Sequence, residues 1–312
     1  VSRTRHLVDE LRARLGASDP LPPAPPIAPI PPPPGRVFPR PREGSAFARR
    51  AAEHTTALVG IGHVGTRYAT DVVLQFQAEL AVAHEAVAAE LPQGWGAARG
   101  LLELRSRVSD HREFLLRPDL GRRLADESLA RLKAQARPGI DVQPILADGL
   151  SARACVQGGL ELLAAFTRAC EARGLSVGTP VLARFARVWL EDEIGAAVGA
   201  KVAAILLGER PGLGTGDGLS AYLVYAPKIG RTDGERNMMS NLHARGTPPE
   251  LAGPRLAVLA RAMIDQGRSG VTLDLSALTA ELGDAARRAH RAPEPRVRLV
   301  ERVGERVEER RP

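Results

Sequence analysis

The apolar run Val202–Leu207 (VAAILL) has no polar alternation, which suits a strand buried on both faces. Similar patterning on either side predicts its neighbours. Ile140–Ala147 reads as a strand ending at Asp148-Gly149. Ser151–Arg173 reads as a helix, with Ser151 placed to cap it. Val181–Leu190 reads as a strand and Glu191–Val198 as a short helix. Ser220–Tyr225 alternates and reads as a strand, and Glu250–Gln266 reads as a helix. Strand–helix–strand order of this kind predicts an α/β fold, a Rossmann-like parallel sheet covered by helices, over residues 139–273. Its strand ends would bring Asp148-Gly149 and Gly208–Gly212 to one rim. Lys228–Gly246 reads as a long loop carrying Asn237, Ser240, Asn241 and His243, placed to close over that rim.

The amino-terminal half is helical in pattern. Ser45–Leu58, Ala69–Ala89, Ala97–Val108 and the stretch from Leu101 to Ala136 all read as helix, giving a helical domain over 45–138. Pro118 breaks it within LRPDLGRRL, 116–124, where Asp119 can cap the next helix start. Before it, Leu7, Val8, Leu11 and Leu15 recur at helical spacing in Ser2–Leu15, an amphipathic helix within 1–19. A linker, 20–44, follows; twelve of the twenty-two residues from Pro20 to Pro41 are proline, so an extended spacer is expected. A sticky helix on a stiff leash suits docking on a partner; a tail with accidental periodicity is the other reading. Residues 274–312 read as a charged tail, with Val297, Val300, Val303 and Val307 at helical spacing.

Charge removes one function class. The net charge is +7, but residues 1–50 hold nine Arg against four acids (+5) and residues 284–312 nine Arg against six (+3), leaving 51–283 at −1. A nearly neutral body lacks the basic face that nucleic acid requires. No apolar run approaches the ~18 residues of a membrane span, and no secretory signal is expected. Cys155 and Cys170 fall in one predicted helix, roughly 22 Å apart along its axis and beyond disulfide reach. Reduced thiols in a cytoplasmic protein are the simplest reading, and no metal-ligand spacing occurs.

The candidate chemistry centres on KVAAILLGERPGLGTGDGL, 201–219. A buried strand that runs into Gly208-Glu209-Arg210-Pro211-Gly212 and further glycines brings backbone close to something. In open parallel sheets that is a ligand beyond the strand's carboxyl end; a tight turn without a ligand is the alternative. Gly60–Gly65 is a formal G-x-G-x-x-G, which opens an NAD-dependent oxidoreductase reading. The context argues against it, because no second strand ending in an acid follows about twenty residues on. Arg122 and Arg123 can grip a phosphate or a partner's carboxylates, or belong to a solvated helix face. His243 has no evident Ser or Cys nucleophile beside it.

Five motifs then converge: RPDLGRR at 117–123, DGLSA at 148–152, GERPGLGT at 208–215, GRTDGERNMMSNLH at 230–243 and GTPP at 246–249. Over roughly Leu58–Leu273 they resemble the small (light) subunit of ethanolamine ammonia-lyase. The resemblance implies a subunit of an adenosylcobalamin-dependent radical enzyme that converts ethanolamine to acetaldehyde and ammonia. It implies a catalytic large subunit as partner, with the cofactor held between the two chains and no catalytic residue in this one. It implies cobalamin contacts at Val188, Glu209 and Met238: apolar packing on the corrin from Val188, acceptance of corrin amides by Glu209, a backbone or adaptable side-chain contact from Met238. Val188 as core, Glu209 paired with Arg210 and Met238 as loop filler are the structural alternatives. No histidine here fits D-x-H-x-x-G, so no protein ligand to cobalt is expected. The helix at 1–19 resembles the peptides that send such subunits into bacterial microcompartments, which makes a shell the second expected partner. The chain departs from the family pattern at Gly62–Thr70 and Glu79-Leu80. A diverged, non-catalytic corrinoid-binding or scaffold protein is therefore the alternative function.

Overall fold

The computed structural model describes residues 63–64, 66–68, 70–213 and 216–276. The expected helices at Ser2–Leu15 and Ser45–Leu58, the proline linker and the carboxyl-terminal tail from residue 277 on lie outside those residues, as do Gly60–Gly62 and Gly65. The chain divides into two units, 1–69 and 70–312. In the first, β1 (His63–Val64) and β2 (Arg67–Tyr68) pair antiparallel.

The second unit begins with α1 (Thr70–Ala88). There follow β3 (Leu102–Arg105), α2 (His111–Leu116), α3 (Asp126–Gln135) and β4 (Val142–Ala147). Helix α4, residues 152–171, contains a π-turn at Cys155–Gly159. Then come β5 (Val181–Arg184), α5 (Leu190–Val198), β6 (Val202–Gly208), β7 (Leu219–Tyr225), β8 (Arg236–Leu242) and α6 (Pro249–Gln266). The sheet order is β3-β5-β4-β6-β7-β8. The first three neighbouring pairs are parallel and the last two antiparallel.

The sheet is thus mixed, not wholly parallel as expected. The cause is the connection between β6 and β7, residues 209–218. It is too short to carry the chain back across the sheet, which takes about a dozen residues or more, so the chain reverses and Glu209 N–H donates to Gly218 O at 2.9 Å. Three further expectations are corrected. Ala97–Val108 is not helical beyond a single 3₁₀ turn, Ala97–Arg99, and contributes edge strand β3, so the helices expected over Leu101–Ala136 begin only at α2. Lys228–Gly246 is not a loop throughout, since it contains β8. The strand expected over Val181–Leu190 stops at Arg184, because Phe185 takes a left-handed φ of 52°.

Alternation along the strands sorts the core into two layers. Val142 and Leu146 of β4 and Val202, Ala204 and Leu206 of β6 face α4 and α6, packing with Leu162, Phe166, Leu256 and Met263. Ile145 and Ala147 of β4 and Ile205 and Leu207 of β6 face α3 and α5, packing with Leu132, Leu190 and Ile194. Both cysteines are free and buried. Ser151 caps α4 as expected, accepting from Ala154 N–H at 3.2 Å. Among the described residues no helix is long and apolar enough to cross a membrane.

Candidate functional site

Beyond the carboxyl ends of β4, β5 and β6 lies an open cleft of about 220 Å³. Its floor is the rim expected from the sequence. Leu150 N–H donates to Gly208 O at 2.9 Å, fixing the turn after β4 against the end of β6. The approach requires glycine: a Cβ on Gly149 would stand 2.2 Å from Gly208 O, and Gly149 has φ 52°.

The wall beside β5 is built by the turn at Phe185. A non-glycine residue at this φ is strained, and its surroundings hold it. Ser106 Oγ donates to Phe185 O at 2.7 Å, the Phe185 ring lies 5.9 Å from that of Phe114, and Ala186 N–H points to Asp148 Oδ1 at 3.4 Å. Burial pushes the Asp148 carboxyl up to about 6, against the pull of the Phe185 and Ala186 N–H groups. The turn sends Ala186, Arg187, Val188 and Trp189 along the cleft.

Each polar group there is fixed by its own contacts. Arg187 lies 4.1 Å over the Phe114 ring and donates from Nη2 to Phe114 O at 2.8 Å. Burial lowers its pKa, and the Arg122 charge adds to that. Trp189 donates from Nε1 to Asp233 Oδ1 at 2.6 Å, and Arg122 lies 4.4 Å from its ring centroid. On the β6–β7 side, Tyr222 donates to Glu209 Oε1 at 2.8 Å. Burial first, then that bond to Glu209, raises the Tyr222 pKa.

Val188 and Glu209 therefore line one cleft. Glu209 bonds to Tyr222, not to Arg210, which removes the pairing considered from sequence. Met238 is not in the cleft lining. It sits on β8, 54% exposed, directly opposite Tyr222 in the antiparallel register, hence on the same face of the sheet. Arg122 faces the cleft, whereas Arg123 is committed to Glu193, 3.1 Å away. Asp119 makes no side-chain cap and instead pairs with Arg117. His243 is buried away from the cleft: Arg245 N–H donates to its Nδ1 at 3.2 Å, so Nε2–H donates to Asn241 Oδ1 at 2.6 Å. Burial lowers its pKa. The sequence reading missed Trp189, Tyr222, Arg187 and Asp233. Only Tyr222 left a signal, through its place in the alternation of β7.

Behind Trp189 is a buried charge cluster. Arg236 donates to Asp192 through both terminal nitrogens, at 3.0 and 2.7 Å, and to Glu191 Oε1 at 2.6 Å. Burial pushes Glu191 well up against the pull of Arg236, and its other oxygen has no partner.

The described residues lining the cleft include Glu209, Asp233 and Tyr222 but no serine, cysteine or histidine. Among the described residues no group of three or more potential metal ligands occurs either. A glycine-rimmed cleft at the carboxyl ends of parallel strands, rich in binding groups, marks a ligand-holding α/β chain. The sequence carries the assignment further: the model of the ethanolamine ammonia-lyase light chain (EutC) family matches residues 46–274, which include every cleft residue named above. The chain belongs to that family. It is accordingly a lyase light chain of ethanolamine catabolism, with a large subunit as the implied partner.

Proposed function

We propose that this chain is the small subunit of an adenosylcobalamin-dependent ethanolamine ammonia-lyase and covers the cofactor where the two subunits meet. The observation that carries the reading is the convergence of Val188 and Glu209 on one open cleft. The groups present suit a corrin, whose rim is methyls and amides. Leu150, Ala186, Val188 and Leu207 offer apolar surface, and Glu209 keeps acceptor capacity beyond its bond to Tyr222. The volume, about 220 Å³, is below the ~300–1,000 Å³ of a site that encloses a drug-sized ligand alone. A second polypeptide must supply the rest. Met238, exposed on the Tyr222 face, is placed for a contact at the margin.

When bound, adenosylcobalamin supplies the radical chemistry that begins at its cobalt–carbon bond. This chain's residues hold and orient it: Glu209 accepts from amides, Val188 packs, and Gly149 and Gly208 keep side chains off the rim. The test is co-expression with an ethanolamine ammonia-lyase large subunit, followed by an absorbance scan of the purified complex. The wild-type complex should carry corrinoid, and Glu209→Ala should lower its retention by roughly tenfold, the worth of a charge-assisted hydrogen bond. A complex without corrinoid absorbance, with equal large-subunit activity whether or not this chain is present, would replace this reading with a scaffold role.

A further inference from the structure

We propose that Arg122 and Arg187 form an anion subsite in the cleft that takes the phosphodiester of the cofactor's nucleotide tail; this rests on the reading of the chain as a cobalamin-covering subunit. The two arginines come from segments locked side by side, since Arg187 N–H donates to Gly121 O at 2.8 Å. The contact is tight enough that a Cβ on Gly121 would stand 2.8 Å from Arg187 Cγ.

Neighbouring arginines are neutralised: Arg123 by Glu193, Arg117 by Asp119, Arg236 by Glu191 and Asp192. Among the described residues Arg122 and Arg187 form no ion pair. The two acids of the cleft are engaged elsewhere, Glu209 by Tyr222 and Asp233 by Trp189. Each guanidinium is instead laid on an aromatic ring, Arg122 on Trp189 and Arg187 on Phe114. Stacking of this kind fixes the plane and leaves N–H groups at its edge for a ligand. Arg187 Nε is buried without a partner.

Two cations without a counter-charge are costly to hold together; burial is the larger cause of the lowered Arg187 pKa, and the nearby Arg122 charge adds to it. An oxyanion seated between them relieves that cost. Cobalamin carries one such group on its periphery, the tail phosphodiester; its other substituents are neutral amides and methyls. Arginine suits a phosphate through paired N–H donors.

The experiment uses the apo complex with the large subunit, titrated by absorbance with adenosylcobalamin and with adenosylcobinamide, which lacks the tail. Wild type should bind both, cobalamin more tightly. Arg122→Gln and Arg187→Gln should each weaken cobalamin roughly tenfold or more and leave cobinamide unchanged, with the lysine replacements recovering part of the loss. Arg187 also packs on Phe114, so its variant is checked by its melting midpoint. Arg122 is exposed, and Arg122→Gln decides the matter if the Arg187 variant does not fold. Equal weakening of both corrinoids, or of neither, overturns the subsite and leaves the cobalamin-covering role standing. A wild-type complex that binds neither corrinoid overturns both.

Discussion

Replacing Gly149 with alanine tests whether the rim of the cleft is set by backbone contact. Two separate costs follow from the geometry. Gly149 has φ 52°, and an L-residue held in that left-handed region loses ~1–2 kcal/mol. The new Cβ would also stand 2.2 Å from Gly208 O and 2.9 Å from Leu207 Cδ1. The leucine tip can rotate away; the carbonyl can retreat only if the end of β6 moves. Overpacking of this kind costs ~1–3 kcal/mol, so the total expected is ~2–5 kcal/mol. Gly174 supplies the control. Its φ is 71° and a Cβ there meets nothing within 4 Å, so Gly174→Ala should lose only the conformational part, ~1–2 kcal/mol. Equilibrium urea unfolding of the full chain, followed by circular dichroism, measures both. The excess for Gly149→Ala is the contact between the β4 and β6 ends. Equal losses for the two variants would mean that no such contact constrains the rim.

Two further outcomes can be checked in the same assay. Asp148 keeps its proton up to about 6 in the folded chain against an ordinary 3.8, so the folded state binds the extra proton and stability falls as pH rises from about 4 to about 6. Asp148→Asn should remove roughly 3 kcal/mol of that fall; Glu191 and Asp192, whose carboxyls burial also raises, add to the slope that remains, and carboxyls held low, such as Asp141 and Glu235, oppose it, and an unchanged profile would refute the assignment. Arg236→Ala should cost ~3–5 kcal/mol, because it strands buried carboxylates without their cation, and a loss below ~1 kcal/mol would show that the cluster is open to water.

What was legible in the sequence was whatever burial writes plainly. β4 and β6 are covered on both faces, so their residues are nearly all apolar, and the amphipathic helices beside them announced themselves. The edges were not legible. β3 is LELR: Leu104 is buried, but Arg105 spends its side chain on the carbonyl of Val108, and Glu103 sits near Arg184 at 3.8 Å, so the pattern resembles a charged helix turn. β8, RNMMSNL, is half exposed, and one of its two buried positions is an arginine. The direction of β7 was available from the length of the connection before it. Of the candidate site, the glycine rim and Glu209 were readable because a strand ending in glycines is itself a signal. Trp189 was not, since only a left-handed Phe185 turns it toward the cleft, and nothing local to the sequence demands that conformation.

The acidic first turn of α5 explains how these pieces keep register. Glu191, Asp192 and Glu193 look in sequence like a solvated cluster at a helix start, where negative charge is favoured by the helix dipole. All three are buried. Glu191 and Asp192 face Arg236 at the start of β8. Glu193 takes Arg123 at 3.1 Å and the Leu124 N–H at 2.8 Å. One helical turn is thereby tied in two directions, to the antiparallel edge of the sheet and to the segment that presents Arg122. Trp189 sits immediately before that turn, between Arg122 at 4.4 Å and Arg236 at 5.9 Å. Such buried ion pairs add little net stability over apolar packing, and their value here is geometric. They fix where the walls of the cleft stand relative to its glycine floor, before any ligand or second subunit arrives.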